Sequence, residues 1–96
     1  MQKSPRVTFE WSATKATDNL QKHGVAFQEA TSSFRDWFSL TIPDPEHSDH
    51  EERWILLGLS NRNRLLVVAH TDRGDRIRLI SARTATRRER REYEEL

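Results

Sequence analysis

Two groups of residues in this sequence have types and spacings that could do chemistry. The first is Lys15, Asn19, Lys22 and His23. They recur at i, i+4, i+7 and i+8, so on a helix they share one polar face. A histidine there can give or take a proton. The plainer alternative is a helix's solvated side, ending in cations that compensate its dipole. The second group is Arg76, Arg78, Arg83, Arg87 and Arg88. Along a strand, Arg76 and Arg78 point to one face while Ile77 and Leu79 point to the other. A sheet covered on one side would then present arginine on its open side, either as a platform for a polyanion or as an ordinary solvated face.

A third group is His47, Asp49, His50, Glu51 and Glu52. Its residue types suit a transition metal, but the spacing fixes no coordination geometry. It reads as an exposed acidic loop, and no metal or other cofactor is expected. The sequence lacks a Gly-rich phosphate loop, a His-Glu-x-x-His pair and a nucleophile elbow. Gly24, Gly58 and Gly74 are isolated and read as structural. P-loop enzymes, dinucleotide enzymes and zinc proteases are thereby set aside.

The elements that must position these groups follow from local chemistry. Residues 7–11 alternate and read as a short strand. Ser12 stands where an N-cap belongs, ahead of a helix over Ala13–His23, and Gly24 takes the C-cap position. A second helix is predicted over Ala26–Phe34, burying Phe27, Ala30 and Phe34, with Leu20 and Val25 meeting the same core. Trp37–Ile42 reads as a strand ended by Pro43 and Pro45. Residues 44–52 form an acidic loop. Arg53–Leu59, Arg64–Thr71 and Arg76–Ala82 read as an antiparallel meander with turns at Asn61–Asn63 and Asp72–Asp75. Thr86 with Glu89 has the form of a capping box, starting a last helix from about Arg87 to Glu94 anchored by Tyr93. The predicted order is β-α-α-β-β-β-β-α, an α+β fold.

Length, at 96 residues, argues for one domain spanning 1–96 with one modest core. The three Trp, four Phe and one Tyr can supply much of that core. Cysteine is absent, which excludes disulfides and thiolate zinc sites and fits a reducing compartment. No apolar signal segment opens the chain and no run approaches the roughly 20 residues a membrane span needs, so a cytoplasmic protein is expected. Net charge is +1, but 13 of the 16 basic residues are Arg and they are unevenly placed. Residues 44–52 hold five acids and no base, whereas residues 73–91 hold eight Arg against Asp75 and Glu89. Arg makes planar, bidentate contacts to phosphate that Lys cannot make. Such a field suits contact with RNA or DNA. It equally suits a solvated tail whose Glu89, Glu92 and Glu94 pair with Arg at helical spacing.

The segments FEWSATKATDNLQKHGVAFQEA (9–30), EERWILLGLS (51–60), RLLVVAHT (64–71) and RIRLISARTATRRERREYE (76–94), with an Asp-Pro loop between the first two, resemble the BrnT toxin family. The resemblance spans about nine tenths of the chain, and its most specific parts are KHGV with the following Phe and ISAR with the Arg/Glu helix. Ser12 departs from the acidic or amide residue common at that place, yet still serves as a cap. The resemblance implies a RelE-like fold, with helices packed on a small antiparallel sheet. It also implies a growth-inhibiting ribonuclease and a BrnA-like antitoxin of ribbon-helix-helix type. That antitoxin would bind the toxin, in a complex of two toxins and two antitoxins, and carry any contact with operator DNA.

For RNA cleavage the substrate brings its own nucleophile, the 2′-hydroxyl. Without a metal, the protein must supply a base for that proton, an acid for the leaving 5′-oxygen and cations for the charge on phosphorus. His23 and Glu52 are the candidate acid and base, with Arg53 and Arg83 completing the candidate catalytic set. Lys15, Lys22, Arg76, Arg78, Arg87 and Arg88 are the candidate RNA-binding residues, and Lys22 and Arg78 are, with Arg53 and Arg83, the candidate charge stabilisers. The competing class is an Arg-rich module that binds nucleic acid or protein without catalysis, or a toxin that has lost its activity.

Overall fold

The computed structural model describes residues 7–44, 46 and 51–95. The elements are β1 (Thr8–Glu10), α1 (Ala13–His23), α2 (Phe27–Ser32), β2 (Leu40–Pro43), β3 (Arg53–Leu59), β4 (Leu65–Arg73), β5 (Arg76–Thr84) and α3 (Arg87–Glu94). A short 3₁₀ turn, Ser33–Arg35, follows α2. This is the α+β order the sequence predicts. The strands form one five-stranded sheet in the order β1-β5-β4-β3-β2. Strands β3 to β5 make the expected antiparallel meander, and β2 extends it by pairing antiparallel with β3. The sheet is nonetheless mixed, because β1 pairs in parallel with Arg76–Arg78 of β5. Alternation in residues 7–11 marks a strand but carries no information on its neighbour. Here α1 and α2 carry the chain over one face before the meander starts, which leaves the outer edge of the last strand to accept the first.

The predicted helix ends are present. The Ser12 hydroxyl accepts from the Lys15 amide at 3.3 Å. Gly24 closes α1 at φ +67°, its amide donating to the Leu20 carbonyl at 2.9 Å. In α3 both bonds of the Thr86–Glu89 capping box are made.

The two faces of the sheet differ. Under α1 and α2, the residues Val25, Phe27, Ala30, Leu56, Leu66, Val68, Leu79 and Ala82 form the main core, with Phe9, Trp11, Phe34 and Ile77 packed against it. On the opposite face Leu57, Leu65 and Val67 form a smaller cluster with Leu40, Ile55, Leu59 and Tyr93, so Tyr93 does anchor α3. A β-bulge interrupts the pairing of β4 with β5: Ala69 pairs with Ser81 but His70 with Leu79, leaving Ile80 as the extra residue. Arg78, Ser81 and Arg83 therefore share the α3 face although their spacing in sequence is uneven.

Three expectations are corrected. Leu20 does not enter the core and is half exposed, because Ala16 and Asn19 are the α1 residues turned toward the sheet. Asn19 lines the same recess as Lys15, Lys22 and His23, as the spacing predicts, but it is buried rather than solvated. The strand expected from Trp37 begins only at Leu40. Asp36 accounts for the delay: its side chain accepts from the Phe38 amide at 3.0 Å and its carbonyl from the Ser39 amide at 3.1 Å, making a turn that leaves Trp37 outside. Gly58 permits this turn to pack on β3, since a Cβ there would lie 2.6 Å from the Ser33 carbonyl oxygen. Of the acidic loop, His47, Asp49 and His50 lie outside the described residues. Among the described residues no helix is long and apolar enough to cross a membrane.

His70 is buried on the helix-covered face, edge-on to Phe34 with ring centres 4.9 Å apart. Burial lowers its pKa below the usual 6.5, against the weaker pull of the Val68 carbonyl and Asp72. The unfolded chain then binds the proton more readily than the folded one, so stability is full above about pH 6.5 and falls as pH drops below it. Urea unfolding across pH should show this decline in the wild type and lose it in His70→Phe. A decline of equal size in that variant would mean that another group is responsible. A second loss is expected between pH 4.5 and about 2, where Glu89, held down mainly by the Arg83 guanidinium, becomes protonated.

Candidate active site

Cross-strand register decides which basic residues meet. On the α3 face, Arg53, Thr71, Arg78 and Glu10 stand in one row across β3, β4, β5 and β1. Arg73 and Arg76 form part of the next row. Four arginines thus converge on one end of this face against two glutamates. Glu10 bridges Arg76 at 2.9 Å and Arg78 at 3.2 Å, and Glu51 pairs with Arg73 at 3.0 Å. These pairs are partly exposed and worth little in stability, but they fix the directions of long side chains. Thr71, between Arg53 and Arg78 in the row, is fully buried and its hydroxyl has no hydrogen-bond partner.

A separate recess of about 220 Å³ runs between α1 and the outer edge of β5. Lys15, Lys22 and His23 line one wall, with Asp18; Ile80 and Ser81 line the other. The recess exists because β1 covers only residues 76–78 of β5. Beyond that point Asn19 replaces a neighbouring strand. Its amide nitrogen donates to the Ala82 carbonyl at 2.8 Å, and its oxygen accepts from the Ala82 amide at 3.0 Å. The same nitrogen donates to the Val25 carbonyl at 2.9 Å. One buried side chain thus holds the polar edge of α1 against the strand that carries Arg78, Ser81 and Arg83.

Arg83 is held in a bidentate pair with Glu89, at 2.8 and 2.9 Å. The Glu89 carboxylate raises the Arg83 pKa above its usual value, and the Arg83 guanidinium in turn drops that of Glu89 to about 2. The pair ties α3 to β5 and orients the guanidinium. The helical pairing expected for Glu89 is therefore replaced by a contact outside its helix, whereas Arg88 approaches Glu92 within α3 at 4.0 Å.

The structure brings Arg53, Arg76 and Arg78 onto one sheet face, and Lys15, Lys22 and His23 into one recess. Arg83 shares the sheet face with Ser81 of that recess. Arg87 and Arg88 stand exposed on α3, off the sheet. Glu52 is exposed just before β3. It is two strands from β5, about 10 Å laterally, so His23 and Glu52 form no contacting pair. Glu10, Thr71 and Ser81 have no place in the sequence expectations. The alternation of Thr71 with Arg73 hints at a shared face, but the bulge that aligns Ser81 with Arg83 leaves no mark in periodicity. Among the described residues, no group of three or more His, Cys, Asp or Glu is arranged to hold a metal ion.

Comparison with known proteins adds two findings. The profile of a family described as "Ribonuclease toxin, BrnT, of type II toxin-antitoxin system" matches residues 11–89. Among solved structures, the chain is similar to the crystal structure of the Brucella abortus ribonuclease toxin BrnT. The TM-score is 0.63 at 21% identity, covering 85% of this chain and 100% of that one. At that identity the likeness speaks for the fold. A comparison with curated proteins finds no match.

Proposed function

This chain belongs to the BrnT family of ribonuclease toxins of type II toxin–antitoxin systems, and from that premise we propose a metal-independent endoribonuclease of the mRNA-interferase type. A base removes the proton of a 2′-hydroxyl, the freed oxygen attacks the adjacent phosphorus, and the 5′-oxygen leaves with a proton from an acid. The products are a 2′,3′-cyclic phosphate and a 5′-hydroxyl end. His23 and Glu52 are alternative proton carriers, His23 for a phosphate at the α1–β5 recess beside Arg83 and Glu52 for one beside Arg53; two strands apart they do not serve the same phosphate, and water carries the second proton in either case. Arg53 and Arg83 stabilise the charge on phosphorus. Lys15, Lys22, Arg76, Arg78, Arg87 and Arg88 hold the flanking phosphates.

The observation that supports this reading best is the convergence of Arg53, Arg76 and Arg78 on one sheet face, bordered at the β5 edge by the recess of His23. Fixed cations next to a titratable group are what in-line transfer at a phosphodiester needs. As a type II toxin the chain has an antitoxin partner. In this reading that partner is a BrnA-like ribbon-helix-helix protein, the complex holds two copies of each, and residues 1–96 act as one domain in the cytoplasm.

Controlled expression of the full chain in a bacterial host, alone and with its neighbouring gene, tests the proposal. Growth arrest with RNA loss that is reversed by the neighbour, and in-vitro cleavage that survives EDTA, are the expected results. Normal growth with intact RNA, alongside retained RNA affinity, would assign the same arginines to a non-catalytic binding module. Cleavage abolished by EDTA would remove metal independence.

A further inference from the structure

Trp37 is 95% exposed and Phe38 70% exposed, side by side on the turn between α2 and β2. A tryptophan this open is uncommon in a small fold that has few large apolar residues with which to fill its core. It is also not loosely held. The Asp36 carboxylate next to it accepts from the Leu59 amide at 2.9 Å, the Phe38 amide at 3.0 Å and the Tyr93 hydroxyl at 2.5 Å. Burial alone would raise the Asp36 pKa, yet these donors carry it below the usual value. The turn is thus pinned to β3 and α3, and Trp37 projects from a rigid base.

Beside it lies an open recess of about 390 Å³ whose lining includes Arg35, Asp36, Trp37, Phe38, Leu59 and Asn61. Its size falls in the range of small-ligand pockets, about 300–1,000 Å³. Arg35 is exposed and forms no ion pair among the described residues. Arg62, one residue beyond Asn61, has its side chain 72% exposed but approaches the buried Glu29 at 3.9 Å. The acid in the recess, Asp36, keeps its charge but spends its oxygens on three neutral donors within the fold, which leaves the Arg35 guanidinium as the charged group beside the aromatic pair that is open to a ligand.

From this we propose that Trp37, with Phe38 and Arg35, is a stacking subsite for an unpaired nucleobase of the RNA. This rests on the reading above that the chain binds RNA as substrate. Aromatic planes bordered by arginine are how proteins hold single strands without reading their sequence: bases stack on the rings and phosphates meet the cations. The site is distinct from the arginine rows. Residues 53 and 59 lie at opposite ends of β3, about 20 Å apart, so the subsite and the arginine rows would hold different nucleotides of the strand.

The test uses the full chain and a short unstructured 2′-O-methyl RNA, which cannot be cut through its 2′-oxygen. Trp37→Ala is expected to weaken binding about 5- to 150-fold, the range found for loss of one base–aromatic stack. Trp37→Phe should recover most of it. The salt dependence of binding should not change, because no phosphate contact is lost. Thermal unfolding should also be unchanged, since Trp37 has almost no packing to lose. Wild-type affinity in Trp37→Ala would overturn the subsite and leave the RNA reading intact. Unchanged RNA affinity with a weakened antitoxin complex would likewise overturn it, giving the patch to the protein partner. Failure of the wild type itself to bind the RNA would overturn the subsite together with the substrate reading.

Discussion

Replacing His23 and Arg83 together by alanine is expected to slow RNA cleavage by about 10²–10⁴-fold, the usual worth of a positioned proton carrier, with the lost cation adding to it. His23 stands at the end of α1, in a recess whose far wall is Ser81. Arg83 lies two residues on, on the same sheet face. A phosphate over Ser81 would therefore have a proton carrier on one side and a guanidinium on the other. Glu89 holds that guanidinium through two hydrogen bonds, so little side-chain freedom remains to be lost when charge develops on phosphorus. Arg83→Lys should restore only part of the activity, because an ammonium cannot match the planar two-point geometry. The loss must be separated from unfolding. The Arg83–Glu89 pair is partly exposed, at 42% and 26% for the two side chains, and its removal should cost only about 1 kcal/mol. Cleavage products of a defined RNA, measured beside the melting temperature, make the distinction. A double variant that cuts RNA and arrests growth at the wild-type rate would remove both residues from the reaction.

The largest effect on stability is expected from Asn19. Replacing it by leucine removes three hydrogen bonds and strands the Ala82 amide, the Ala82 carbonyl and the Val25 carbonyl in the interior. Each bond contributes about 1 kcal/mol net, and an unsatisfied buried group costs about 1–3 kcal/mol, so a loss of about 3–5 kcal/mol is expected. For a domain with a total stability of about 5–15 kcal/mol this is a large share. It corresponds to a melting temperature lower by roughly 12–40 °C, at about 4–8 °C per kcal/mol. Leu20→Ala, one residue away and half exposed, should lie within about 1 kcal/mol of wild type. Equal losses at the two positions would mean that Asn19 does not bind α1 to β5 as described.

Much of the fold was legible in the sequence because its signals are local. Ser12, Gly24 and the Thr86–Glu89 box mark helix ends through bonds made within a few residues. Asn63 adopts φ +60° in the turn where asparagine chemistry predicts it. Alternation separated Arg76 and Arg78 from Ile77 and Leu79, and the structure keeps that division. The family, too, could be recognised from the sequence, since KHGV and ISAR with its following helix occur in the right order and spacing.

What the sequence by itself determined, then, is the succession of elements, the caps and turns that bound them, and the stock of arginines on the last strand. Each follows from contacts between near neighbours in the chain. What only the tertiary structure decided is who meets whom. Asn19 looked like one more polar residue on a wet helix face. It is the bolt between α1 and β5 because β1 stops at residue 78 and leaves the Ala82 backbone without a strand partner. Trp37 looked like the start of a strand, and Asp36 instead turns it out of the fold by binding Leu59 and Tyr93, partners 23 and 57 residues away. Glu89 looked like a helical ion-pair partner and reaches back to Arg83. Charge, hydrogen bonding and burial act over a few ångströms of space, and once a chain folds back on itself those ångströms bear no fixed relation to distance along the sequence.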